Sequence, residues 1–266
     1  MEGHCCVWYA NGSLIAWAAW ARGQKWVYVG NWQNPPKNDC HTNANVQPRA
    51  RPGLKRCLRL LIRVGTTVGI LGYGSLLSDP QEEIIDARVR IVNDVETPFC
   101  VEFARSSKGR GGAPTLVPVE AGGARVKGVI YVLDVPVKTG ADILYRREIN
   151  QVGGKKCYDP AKATKRDSVK VRCLPGFCGI DIVFYTELEA DIHPLTARKL
   201  ASLAIGSVVR TDKGRDGISY LIDAKRNEIE TPLSQEYEAE ILRQSNCVSL
   251  EEARRITLRQ QETSRI

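Results

Sequence analysis

Apolar and polar positions give the chain three stretches of different character. The middle one opens with Val68-Gly69-Ile70-Leu71-Gly72-Tyr73-Gly74-Ser75-Leu76-Leu77, an apolar β-type run that breaks into a glycine-bracketed turn. Ser78-Asp79-Pro80 follows, a capping side chain ahead of a proline, and predicts a short helix over about 80–85. Four β-type runs come next, at 87–95, 99–105, 115–119 and 125–133. Closely spaced strands with glycine-rich connections predict a small barrel or a strongly bent sheet. A helix is expected over 138–150, then strands over 168–174 and 179–186.

The last eighty residues read as helices, beginning with 193–204 and 217–226. A third opens at Thr231-Pro232 with Leu233, Tyr237, Ile241 and Leu242 along one face, and Ser249-x-x-Glu252 is a capping box for the last, through Arg265. No repeat and no chemistry stands out in this part. The first stretch is different again. Trp8, Trp17, Trp20, Trp26 and Trp32 all lie there, no helical or alternating period holds for long, and 31–52 is rich in Asn, Pro and Gln. The expected organisation is therefore a poorly ordered extension over 1–64, a mixed α/β domain over 65–190 and a helical C-terminal extension over 191–266.

Charge sharpens the first boundary. The chain carries a net charge of +8, but residues 1–64 hold nine Lys/Arg and two acids, so the rest is close to neutral. A basic chain suggests a nucleic-acid partner; with the excess outside the expected domain, none is expected for the domain itself. Three readings of the basic segment stay open: an extension without stable fold, translated from upstream of the true start; an accessory segment packed on the domain; or a targeting peptide. The apolar run Ser13–Ala21 lacks preceding Lys or Arg, unlike a signal peptide. Residues 49–63 are Arg-rich and acid-free, somewhat like a transit peptide, and Leu54–Ile62 has the spacing of a short helix. No run approaches the roughly 18 apolar residues of a membrane span, so no membrane partner is expected. Nine cysteines, an odd number without paired CxxC spacing, and three scattered histidines give no metal cluster. Cys173 and Cys178 bracket a turn where a disulfide or metal stays open beside free thiols in a reducing cytoplasm.

Three places carry candidate chemistry, each with a plain structural alternative. The 72–76 turn is either an ordinary strand-to-helix turn or an anion site. Gly72 and Gly74 let backbone approach a ligand, and amides at a helix start are free to meet negative charge. The loop 105–114, Arg-Ser-Ser-Lys-Gly-Arg-Gly-Gly-Ala-Pro, is either a flexible basic hairpin or a cover over a carboxylate-bearing substrate, with Ser107 and Arg110 as donors. It fits neither phosphate-binding glycine pattern. Glu148, near the end of the expected helix over 138–150, is unfavourable to the helix dipole. It is either a surface acid paired one turn away or a proton acceptor in a cleft. The basic residues of 155–172 read as a solvated face, and Tyr158 as a pocket wall or a plain core or surface tyrosine.

Tyr73-Gly74-Ser75-Leu76 after a first strand, the strand Val126-Lys-Gly-Val-Ile-Tyr131, and Tyr145-Arg-Arg-Glu148 on the following helix resemble, in order and rough spacing, the γ-glutamylcyclotransferase (AIG2-like) family. Segments 103–107 and 113–119 are similar to bacterial members. The resemblance covers about 66–160; family members commonly have Glu-Gly where this chain has Glu148-Ile149. It implies the fold of that family and cyclisation of a γ-glutamyl group to 5-oxoproline, with release of an amine or amino acid. Glu148 would be the general acid/base, and Tyr73, Gly74, Ser75, Leu76, Ser107 and Arg110 would bind the small-molecule substrate. No metal or cofactor would be needed, and the enzyme would be cytoplasmic. A non-catalytic ligand-binding module, or an amide hydrolase or acyl-transfer relative, are the alternatives. Neither the particular γ-glutamyl compound nor the oligomeric state is indicated.

Overall fold

The computed structural model describes residues 5–10, 13–21, 24–29 and 66–263, except 166, 212 and 213. The chain falls into two units, Met1–Arg63 and Val64–Ile266. In the first, β1 (Cys5–Ala10), β2 (Ser13–Ala21) and β3 (Gln24–Val29) form an antiparallel meander in the order β1-β2-β3. The strands occur where the sequence offers no sustained alternation; in their register Val7 lies opposite Trp17, and Trp17 opposite Tyr28. The expected loop over 31–52, the Arg-rich 49–63 and the helix at 54–62 lie outside the described residues.

The second unit is a mixed α/β structure around an open five-stranded sheet, with strands β4 (Val68–Gly72), β5 (Arg88–Glu96), β8 (Lys127–Leu133), β9 (Lys170–Pro175) and β10 (Ile182–Glu187). Their order is β5-β8-β4-β10-β9; β4 and β10 run parallel and the other pairs antiparallel. A separate ribbon, β6 (Val101–Ser107) with β7 (Ala113–Pro118), stands outside the sheet. The barrel expectation is corrected on this point. β5 and β9 are open edges, and the β6–β7 hairpin turns away to pack on helices instead of closing the sheet.

The central strands are apolar over most of their length, with Lys127, Thr186 and Glu187 at their ends, because both faces of the sheet are covered. Strand alternation sends Val68, Ile70, Tyr131, Leu133 and Phe184 to one face, under α2 (Glu82–Ala87) and α3 (Val137–Glu148). Leu71, Ile130, Val132 and Val183 go to the other face. There they share a core with Phe103 and Leu116 of the ribbon and with four helices: α4 (Ala197–Ser207), α5 (Gly217–Arg226), α6 (Ser234–Ser245) and α7 (Leu250–Thr263). Leu200, Ala204, Ile218, Leu221, Tyr237 and Ile241 from these helices are buried in that core. Among the described residues no helix is long and apolar enough to cross a membrane.

Two devices fix α3, the helix that carries Glu148. Gly140 lies so close to β4 that a Cβ there would stand 2.6 Å from Val68 Cγ1. At the other end Arg146 Nε donates to both carboxylate oxygens of Glu83 on α2, each at 3.0 Å, and Glu83 also accepts from the Gly153 amide.

Candidate active-site cleft

The turn after β4 is built by one glycine. Gly74 has φ of 56°, a conformation that strains any residue with a Cβ, and a Cβ there would stand 2.7 Å from the Tyr220 hydroxyl. Helix α1 (Ser75–Ser78) starts directly after it, earlier than the Ser78-Asp79-Pro80 signal predicts, and Pro80 instead lies in the link to α2. The Leu76 amide donates to Tyr73 O at 3.2 Å and the Leu77 amide to Gly74 O at 3.1 Å. The amides of Gly74 and Ser75 donate to nothing among the described residues. Leu76 is buried under the α2–α3 side, so its contribution is to anchor the turn. Tyr73 is buried, packs edge-on against Phe99 and donates its hydroxyl to Thr186 O at 3.2 Å. Burial, and next the charge of Glu148, push the Tyr73 phenol well above its ordinary pKa.

Beside this turn opens a cleft of about 510 Å³, with a pocket of about 40 Å³ adjoining it. Glu148 and Ser75 line both, Gly74, Ser107 and Arg110 line the cleft, and Tyr73 and Leu76 line the small pocket. All seven residues singled out in the sequence are thus brought to one place by three separate segments. The 105–114 loop arrives there as a 3-10 turn, Lys108–Arg110, closed by Gly111 in the left-handed conformation.

Glu148 is the last residue of α3, with its side chain 13% exposed. It is neither a surface acid nor paired one helical turn away. Its partner is the adjacent Arg147, whose Nη1 lies 2.8 Å from Oε1. Arg147 Nη2 reaches across to Ser75 Oγ at 3.1 Å and Asp79 O at 2.8 Å, so one guanidinium joins the glutamate to the β4–α1 turn. Arg147 Nε is buried without a partner. A glycine is not required after Glu148 here. Ile149 has an ordinary negative φ of −93°, and the left-handed position falls on Asn150.

Beside Arg110 and Glu148, the wall carries further charge: Arg105, Lys108, Arg147 and Arg215 are positive, and Asp79, Asp167 and Asp223 negative. Of these, Arg147, Arg215, Asp79, Asp167 and Asp223 were not singled out as site residues in the sequence. Arg105 Nη2 lies 3.5 Å from Asp167 Oδ1, and its Nη1 donates to the Glu189 carbonyl at 2.7 Å. Burial lowers the pKa of Arg110, whose guanidinium sits 4.9 Å from the centre of the Tyr220 ring. Tyr158 does not line the cleft; its ring tilts against Tyr145 at 5.5 Å. Tyr220, Arg215 and Asp223 come from the helical C-terminal part, where the sequence showed no chemistry. A tyrosine at helical spacing among apolar residues reads as core, and nothing local announces contact with a turn at position 74.

Among the described residues there is no group of His, Cys, Asp and Glu suited to a metal ion, and Cys173 and Cys178 are free thiols. The arrangement offers a carboxylate able to take and return a proton, unspent amides at Gly74 and Ser75, and guanidinium groups for a carboxylate. Compared with known proteins, the chain matches no family model and no curated protein.

Proposed function

We propose that this cleft cyclises a γ-glutamyl compound to 5-oxoproline, releasing an amine or amino acid, and that the open sheet with its covering helices is a variant of the γ-glutamylcyclotransferase type. The observation that carries the reading is the convergence of Glu148, the 73–76 turn and the Ser107–Arg110 loop on one cleft lined by charges of both signs. A γ-glutamyl head group is a zwitterion, with an α-ammonium and an α-carboxylate. Glu148 suits the ammonium, and Arg110 and Arg147 suit the carboxylate.

In the reaction the cleft first holds the chain bent, so that the α-amine meets its own γ-carbonyl; this is an orientation effect. Glu148 takes a proton from the ammonium. The amine nitrogen then bonds to the γ-carbon, and the carbonyl π pair moves onto oxygen, beside the unspent amides of Gly74 and Ser75. Glu148 gives that proton to the leaving nitrogen, the oxyanion collapses and the bond to that nitrogen breaks. The regenerated carboxylate then takes the second proton from the ring nitrogen, leaving a neutral lactam, and passes it to the released amine, which departs as an ammonium. No water is consumed and no metal or cofactor is called for. The partner is a small molecule, with no role for nucleic acid or membrane, and the free thiols suit a reducing cytoplasm.

Glu148→Gln keeps the shape and removes the proton acceptor. The expected outcome is a fall of at least about 100-fold in 5-oxoproline release, in line with general acid–base contributions of roughly 10²–10⁴. Release that survives this substitution would overturn the mechanism.

A further inference from the structure

Two phenols line the small pocket beside Glu148, and they differ in what their hydroxyls do. The Tyr73 hydroxyl spends its proton on Thr186 O. Tyr220 sits on α5, is 6% exposed, and lines both the pocket and the main cleft. Its oxygen accepts from the Leu116 amide at 3.3 Å, and its proton has no acceptor among the described residues. A buried hydroxyl with an unspent donor carries a desolvation cost that a partner arriving in the pocket would remove.

The surroundings hold this phenol in place. Its ring packs edge-on against Phe103 at 6.2 Å and carries Arg110 on its face. Asp216 caps the start of α5 by accepting from the Ser219 amide at 2.8 Å, and Arg254 of α7 grips the same carboxylate at 2.8 Å. The hydroxyl is directed at Gly74, beside the unspent amides of that turn.

We propose that Tyr220 is a further catalytic residue, donating its phenolic hydrogen bond to the γ-carbonyl oxygen as negative charge develops there. The C-terminal helices thus complete the oxyanion site begun by the β4–α1 turn. This rests on the cyclotransferase reading of the cleft. Burial raises the phenol's pKa, so the group stays protonated and able to donate across the neutral range. The covalent steps are those already given; Tyr220 stabilises the oxygen that carries the displaced electron pair and keeps its own proton throughout.

Tyr220→Phe in the full chain keeps the ring and removes the donor. The expected result is a kcat for 5-oxoproline release lower by about 100-fold, as for loss of one oxyanion donor, with KM changed less than about three-fold. Replacing Tyr220 with 3,5-difluorotyrosine keeps the shape and lowers the phenol's pKa. The expected result is an alkaline limb of the kcat profile displaced to lower pH, which a purely structural tyrosine would not produce. An unchanged kcat in Tyr220→Phe, or an unmoved alkaline limb, overturns this proposal while leaving the cyclotransferase reading standing. Failure of the unaltered chain to release 5-oxoproline from any γ-glutamyl compound removes that reading, and this proposal with it.

Discussion

At the scale of single residues, Gly74 and Tyr220 define each other's positions. The backbone at 74 needs a left-handed φ, and the space a side chain would fill belongs to the Tyr220 hydroxyl. Gly74→Ala therefore meets two penalties, and each alone falls in the range of about 1–3 kcal/mol for a strained backbone or an overpacked core. A loss of unfolding free energy of that order or more is expected in urea titration, together with loss of any cleft activity; a change under about 0.5 kcal/mol would contradict the geometry. This glycine was legible in the sequence, because a glycine-bracketed turn after an apolar run has few other purposes. Its partner was not. Tyr220 stands 146 positions later on an amphipathic helix, and its apolar neighbours make it look like any core tyrosine. Arg147 was equally hidden, since two adjacent arginines near a helix end look like solvated charge. Only the folded turn shows that Arg147 reaches Ser75 and Asp79 while Arg146 reaches Glu83.

At the scale of elements, the period-2 and helical patterns placed most strands and helices within a few residues, because burial writes those periods directly. Which strands pair was not legible. β4 lies between β8 and β10, which come about 55 and 110 residues later, and sheet order leaves no local mark. The helix that presents Glu148 owes its placement in part to the Glu83–Arg146 pair, which is mostly buried, with side chains 19% and 12% exposed. The hydrogen bond from Arg146, reinforced by the Gly153 amide, holds Glu83 below its ordinary pKa of 4.5, against the opposing effect of burial. A carboxyl lowered on folding contributes stability that is present above 4.5 and is lost as pH falls through the lowered value. Glu83→Gln should therefore cost about 1.5–3 kcal/mol at pH 7, as for hydrogen bonds to charged groups, and the difference between variant and parent should shrink in acid. Denaturant unfolding across that pH range reads both; a difference independent of pH would contradict the account. Glu102 works in the opposite sense. It is fully buried, accepts from Thr231 Oγ1 at 2.6 Å and from the Phe103 amide at 2.8 Å, and burial raises its pKa. Its contribution is present at low pH and is lost as pH rises, so the Glu83 effect is seen cleanly only as a difference between variant and parent.

At the scale of the whole molecule, the sheet has two covered faces with different duties. The α2–α3 face holds the helix that presents the glutamate, and the opposite face joins the β6–β7 ribbon and α4–α7 in one core. The helical part is thus integral to Val64–Ile266, and it supplies Tyr220, Arg215 and Asp223 to the cleft wall. Reading strands and helices as consecutive blocks favoured an appended extension, because sequence order hides that the ribbon and the helices bury the same side of the sheet. The central claim is that the cleft forms a ring within its substrate and adds no water. The most direct test is incubation of the full chain with a panel of γ-glutamyl amino acids, peptides and amines in H2¹⁸O, with products read by mass spectrometry. The account predicts unlabelled 5-oxoproline in equal amount to the released amine. Glutamate carrying ¹⁸O would contradict it in favour of hydrolysis, and ligand binding without turnover would contradict it in favour of a non-catalytic module.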